Sequence, residues 1–223
     1  MSTQGGAPIQ AAVVPVTPFQ QNCLLIWDAK TMKGSVVDPG GDVARVQSAI
    51  EEVGMEVESI ILTHGHIDHA GGADEMHEIY GVEIIGPHED DLFLLEGLEA
   101  QGKEYGIAGS RNVAPDRWLN EGDTVNFAGL EWQIFHCPGH SPGSVVFFCD
   151  SGRFAIVGDV IFEGSVGRTD LPRGDHDALI SSIVNKLLPL GDDIQFVPGH
   201  GGASTFGKER RTNPFLQDVQ PTA

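Results

Sequence analysis

At 223 residues the chain can bury roughly 70% of its unfolded surface around one core, so its length asks for no second domain and a single unit over 1–223 is expected. Its 13 basic residues stand against 32 acidic ones, a formal charge of −19. That balance removes the counterion-release term behind nucleic-acid binding and reads as a solvated surface, and no apolar run reaches the roughly 18 residues that cross a bilayer, so neither nucleic acid nor membrane is an expected partner.

Residues 1–20 lack a basic start and are interrupted by Pro15 and Pro18, which argues against an export signal and for a cytoplasmic chain. Strands are expected over 11–16, 23–28 and 34–38, then an amphipathic helix over 42–53 with Asp42 as its N-cap, then a strand over 59–63. A helix over 70–80 and a short strand over 82–85 follow. The glycine-containing, weakly patterned stretch 97–114 reads as a loop over a site. Strands near 124–127, 130–135, 144–149 and 153–157 lead to a helix over 178–187 and a strand over 194–197. Consecutive strands with helices interspersed predict an α+β chain folded as a four-layer αββα sandwich, two mixed sheets face to face with helices outside. A doubly wound parallel sheet needs steadier strand–helix alternation than this. Cys23, Cys137 and Cys149 are too few and too irregularly spaced for a disulfide framework or a thiolate metal site, which fits a reduced cytosol. Cys137 and Cys149 read as small buried hydrophobes.

The chemistry concentrates where the strand over 59–63 runs into His64-Gly65-His66-Ile67-Asp68-His69. In extended backbone His64 and His66 project to one side, while Asp68 and His69 sit at the incoming helix turn and can face a second point nearby. Imidazole and carboxylate without thiolate suit zinc, manganese or iron, and argue against a purely structural zinc knot. Three more candidates each follow an apolar strand and lie beside glycine: His140 in Cys137-Pro138-Gly139-His140, Asp159 in Val157-Gly158-Asp159, and His200 in Val197-Pro198-Gly199-His200. Glycine lets the backbone turn sharply and approach closely at such strand ends. A lone histidine of this kind is an ordinary loop residue, whereas four strand ends in agreement point to a shared site. His77, His88, His136 and His176 have no such spacing and read as surface or core histidines.

The string His64-x-His66-x-Asp68-His69, followed by His140, Asp159 and His200, resembles the metallo-β-lactamase superfamily pattern over nearly the whole chain. The phrases Leu62-Thr63-His64-Gly65-His66, Gly167-Arg168-Thr169-Asp170 and Asn213-Pro214-Phe215-Leu216 narrow the resemblance to the glyoxalase II group, the hydroxyacylglutathione hydrolases, and within it to short bacterial members of YcbL type. The resemblance implies two divalent metal ions, zinc first, with iron or manganese also suited. His64, His66 and His140 would hold one, and Asp68, His69 and His200 the other. Asp159 would join them, and Asp68 would orient a bridging hydroxide. Asp38, in Val37-Asp38-Pro39-Gly40, reads either as an acceptor that orients a ligand imidazole or as a turn aspartate before proline.

The implied reaction is hydrolysis of the thioester of S-2-hydroxyacylglutathione, such as S-lactoylglutathione, to glutathione and a 2-hydroxy acid. A thiol, with a pKa near 8.5, departs as thiolate without a proton donor, unlike an amine. By motif Arg168 is the candidate substrate contact; its other reading is a surface arginine paired with Asp170 or Asp175. Long glyoxalase II enzymes grip glutathione with a helical C-terminal domain, whereas residues 201–223 are too few for one, so a weak Michaelis constant is expected. Arg210 and Arg211, in a terminal helix, are either a substitute grip or simply solvated. The rival within the same fold is a persulfide dioxygenase with a single iron. A non-enzymatic reading, in which metals only stabilise the fold, fits seven ligands poorly, because structural sites close their coordination.

Overall fold

The computed structural model describes residues 9–217. It opens with strands β1 (Ile9–Val16), β2 (Gln21–Asp28) and β3 (Lys33–Val37), helix α1 (Val43–Val53), strand β4 (Glu56–Ile61), helices α2 (Ile67–Ala70) and α3 (Ala73–Tyr80), and the short strand β5 (Ile84–Ile85). Helices α4 (Leu92–Leu95) and α5 (Leu98–Tyr105) precede β6 (Thr124–Phe127), β7 (Leu130–His136), β8 (Val145–Cys149) and β9 (Phe154–Gly158). A two-stranded ribbon, β10 (Ile161–Phe162) with β11 (Ser165–Val166), leads to α6 (His176–Ser182), β12 (Gln195–Pro198), β13 (Ser204–Thr205) and α7 (Phe206–Thr212).

Strands β1 to β5 form one sheet in sequence order, and the second runs β13-β12-β9-β8-β7-β6. Both are mixed, with β3, β4 and β5 parallel in the first and β9 and β12 parallel in the second. Successive side chains of a strand point to opposite faces, so a strand buried on both sides is apolar throughout. In β2, Leu24 and Ile26 face the second sheet, where they meet Phe127, Trp132 and Phe147, while Cys23, Leu25 and Trp27 face Val46, Ile50 and Met76 of the helices outside. Strand β8 alternates in the same way, with Val145 and Phe147 between the sheets and Val146 and Phe148 against Leu179 and Ile183 on the far side. The αββα order expected from the strand runs is therefore the observed one.

Several boundaries move for local reasons. Asp42 precedes α1, yet its carboxylate accepts from the backbone N–H of Thr17 at 2.8 Å instead of capping the helix. The strand expected over 59–63 ends at Ile61, because the Thr63 N–H turns to Asp38 Oδ1 (2.7 Å) and its carbonyl accepts from Val145 (2.8 Å). The helix expected over 70–80 is two pieces, split where Gly72 donates to the Pro39 carbonyl at 2.8 Å. The stretch 97–114 is not simply a loop: α5 occupies its first half, its interior Gly102 packed where an added Cβ would stand 2.5 Å from Ser110. Helix α6 ends at Ser182, and a wider helical turn, Ile183–Leu187, completes the predicted segment. All three cysteines are buried and free, and burial pushes the thiols of Cys23 and Cys137 up in pKa.

The Asn213 phrase of the sequence serves the fold. Glu209 on α7 is fully buried and accepts from Ser204 Oγ, from the Gly164 N–H (2.7 Å) and from Asn213 Nδ2 (3.0 Å), which also reaches the Ser165 carbonyl (2.9 Å). Glu209→Ala leaves those donors unmatched and should lower stability by roughly 2–4 kcal/mol, read as a shift of the denaturation midpoint. Arg211→Ala, on the exposed side of the same helix, should stay within about 0.5 kcal/mol.

Candidate metal centre

Every segment that matters leaves a strand at its C-terminal end and meets the others along one edge of the sandwich: β3 and β4 from the first sheet, β7, β9 and β12 from the second. His64 and His66 follow β4, Asp68 and His69 ride on α2, His140 lies in the loop after β7, Asp159 follows β9 and His200 follows β12. The seven residues come together. His64, His66 and His140 each offer one atom, all within 4.8 Å of one another, and so do Asp68, His69 and His200. Asp159 lies between the groups, with Oδ1 3.4 Å from His69 Nε2 and Oδ2 3.6 Å from the Nε2 of both His140 and His200.

The outward nitrogens decide which nitrogen of each ring faces inward. Thr63 Oγ1 donates its single proton to Asp38 Oδ2 (2.6 Å), so it accepts from His64 Nδ1 (3.0 Å). His69 Nδ1 donates to the same Asp38 oxygen at 2.8 Å, His140 Nδ1 to the Arg168 carbonyl at 2.8 Å, and His200 Nδ1 to the Phe19 carbonyl at 3.2 Å. Four imidazoles are thereby held by Nδ1 with Nε2 turned toward the centre, the arrangement that prepares histidine as a ligand. Asp38 is the orienting acceptor of the two readings, buried, and with a left-handed backbone (φ 51°) that brings its carboxylate under both rings.

Burial, followed by the charges of neighbouring histidines, holds His64 well below the ordinary imidazole pKa and brings His66 down to about 3. Burial alone would raise both carboxylates, yet His69 and the other imidazoles outweigh it and keep Asp68 and Asp159 below the usual range. Burial opposes the charged form of His69, and Asp159, Asp68 and Asp38 overcome it, raising its pKa. His64 and His66, held neutral, and two ionised carboxylates make a centre that attracts cations.

The test of fit lies in the atoms left over. His64 Nε2, His69 Nε2 and Asp159 Oδ1 are buried without a hydrogen-bond partner, and His66 Nδ1 sits 2.9 Å from His140 Nε2. Unsatisfied buried groups cost roughly 1–3 kcal/mol each. Cations between these nitrogens and carboxylates would supply the missing partner to the first three and stand in for the contact between His66 and His140, so the residues fit divalent metal.

Elsewhere the structure sorts the sequence expectations. Arg168 turns its guanidinium to Asp170 in a two-point ion pair (2.7 and 2.8 Å), and what it brings to the centre is the carbonyl that holds His140. Arg210 and Arg211 pair with Asp192 on the outer face of α7. His88 and His136 stack at 4.1 Å with Asp90 beside them, a partly exposed group whose ligand atoms lie within 4.8 Å of one another and which is separate from the seven residues. Phe19 and Gln21, whose buried amide lies 3.4 Å from His69 Nδ1, carry no signal in the sequence. Only Thr63, directly before the His-x-His string, was legible by adjacency.

A four-layer sandwich with a His/Asp cluster at the shared edge of its sheets defines a metallohydrolase. The chain belongs to the metallo-beta-lactamase superfamily, whose profile matches residues 16–200. It is 47% identical over 205 residues to the hydroxyacylglutathione hydrolase GloC of Haemophilus influenzae, covering 92% of this chain and 96% of that one. It is also 35% identical to the probable metallo-hydrolase YqgX of Bacillus subtilis, over 91% and 95% of the two chains. Among solved structures it resembles the B3 metallo-beta-lactamase BLEG-1 (TM-score 0.85, 31% identity, 93% of this chain and 100% of that one) and TTHA1623 in a di-iron-bound form (TM-score 0.81, 35% identity, 92% and 100%). Among the described residues no helix is long and apolar enough to cross a membrane.

Proposed function

We propose that this chain is a binuclear metallohydrolase that cleaves the thioester of S-2-hydroxyacylglutathiones, such as S-lactoylglutathione, to glutathione and a 2-hydroxy acid. The observation that carries this reading is the pair of three-residue groups with one carboxylate between them, and with the outer nitrogens of four imidazoles already bonded away. His64, His66 and His140 would hold one ion and Asp68, His69 and His200 the other, with Asp159 between them. Zinc, iron and manganese all suit this donor set, and the di-iron form of TTHA1623 supports iron beside zinc. Paired divalent ions, when bound, lower the pKa of a coordinated water towards neutrality and polarise a substrate carbonyl.

The residues of the chain favour a thioester. Asp68 and Asp159 are both held ionised, so they accept protons and do not donate them. A thiolate leaves without a donated proton, whereas an amine requires one. Asp68, partly open to solvent at 16% side-chain exposure, would orient the attacking water. Phe19 and Tyr105, about half exposed and edge to face at 5.8 Å, offer an apolar rim beside His200, whose ring is held by the Phe19 carbonyl. The named activity of the Haemophilus relative supports the choice of thiol.

Metal-loaded protein should hydrolyse S-D-lactoylglutathione, releasing one thiol per thioester lost, and metal analysis should return two ions per chain. Oxygen uptake with glutathione persulfide, together with a single iron, would replace this reading by the dioxygenase.

A further inference from the structure

Outside the ligand set, one buried carboxylate ties the two sheets together beneath the first group of histidines. Asp91 ends the short turn Glu89–Asp91 and is fully buried. Its Oδ2 accepts from the Gly65 N–H at 2.8 Å and from Ser141 Oγ at 2.7 Å, and its Oδ1 accepts from the Gly143 N–H at 2.6 Å. Gly65 is the residue between His64 and His66, and Ser141 directly follows His140. A single side chain therefore clips the loop leaving β4 in one sheet to the loop joining β7 and β8 in the other. The neighbouring backbone adds a second tie, His88 N–H to the Gly143 carbonyl at 3.1 Å.

The two glycines are shaped to this carboxylate. A Cβ on Gly143 would stand 2.6 to 2.7 Å from Asp91 Cγ, Cβ and N, and one on Gly65 would stand 3.1 Å from Asp91 Cβ. The string His64-Gly65-His66 thus needs its glycine so that Asp91 can reach the N–H between the histidines. Ser141 donates to Asp91 and accepts from Ser144 Oγ (2.7 Å), so its hydroxyl is fully used. Each donor around Asp91 belongs to a ligand-bearing loop or its anchor, and Asp91 is not a member of either three-residue group.

We propose that Asp91 is a positioning residue that sets the spacing between His64 and His66 on one loop and His140 on the other, and through that spacing the affinity of this group for its cation. The inference rests on the reading that the group holds a metal. Partners of this kind change metal affinity by about 10–100-fold when removed. Asn in place of Asp91 keeps the volume but turns its NH2 toward the N–H of either Gly65 or Gly143, so one tie becomes a repulsion.

The test is titration of metal-stripped protein with cobalt(II) against a competing chelator, in wild type, Asp91→Asn, Ser141→Ala, His66→Ala and His200→Ala. Asp91→Asn should weaken by about 10–100-fold the one binding step that His66→Ala abolishes, and leave within about threefold the step that His200→Ala abolishes. Ser141→Ala, which removes one donor of three, should weaken the same step by a smaller factor; it decides the matter if Asp91→Asn does not fold. Two unchanged steps in a folded Asp91→Asn protein overturn the proposal. Equal loss at both steps with a lowered unfolding midpoint of the metal-free protein also overturns it, since Asp91 would then serve only the fold. A wild-type chain that binds no cobalt sinks the metal-centre reading itself, and this inference with it.

Discussion

His66→Ala should lower turnover of S-D-lactoylglutathione by at least about 10³-fold while leaving the fold in place. The ring is buried against His64 and His140, the polar groups of the centre, and not in the apolar core. What it removes is one of three nitrogens that converge within 4.8 Å, leaving His140 Nε2 without the neighbour now 2.9 Å away. Steady-state kinetics and metal content measured on the same sample decide it. A variant that keeps full metal and full activity would remove His66 from the mechanism and with it the paired-ion reading.

Gly199→Ala should do comparable damage with one methyl group. A Cβ there would stand 2.1 Å from Asp159 Oδ1 and 2.4 Å from His69 Cε1, so the carboxylate between the groups and one imidazole must both move. His69 has nowhere to go, since its other side is bonded to Asp38 at 2.8 Å. Overpacking of this kind typically costs 1–3 kcal/mol of stability, roughly, and a misplacement near 1 Å can cost about 10²-fold in rate. The expected result is reduced metal stoichiometry, activity lower by about 10²-fold or more, and an unfolding midpoint that falls only modestly. Wild-type metal content and rate in Gly199→Ala would show that Asp159 and His69 are not held as described.

The glycine beside each ligand was legible, but its purposes differ. Gly139 (φ 138°) and Gly158 (φ 49°) use backbone that other residues avoid and also lie against Leu179 and Thr63, where an added Cβ would stand 2.4 and 2.6 Å away. Gly199 is there for space alone. Sharp turning and close approach were both expected at these strand ends, and the structure shows both at Gly139 and Gly158 and close approach alone at Gly199.

The seven candidate ligands and the four layers could be read from residue type and from the order of strands and helices, because metal-binding side chains and apolar runs are local signatures. The orienting partners could not. Asp38 had two readings until the carboxylate was seen beneath Thr63 and His69, and Asp91 sits in the acidic run Glu89-Asp90-Asp91, which resembles any solvated loop. Asp42 has the sequence of an N-cap and serves Thr17 instead, and Arg168 acts on His140 through a carbonyl that every residue possesses. Sequence by itself determined which groups can bind metal and which faces must be buried. Tertiary structure decided which nitrogen of each ring faces inward, because that depends on hydrogen bonds between residues far apart in the chain, whose acceptors are as often backbone as side chain.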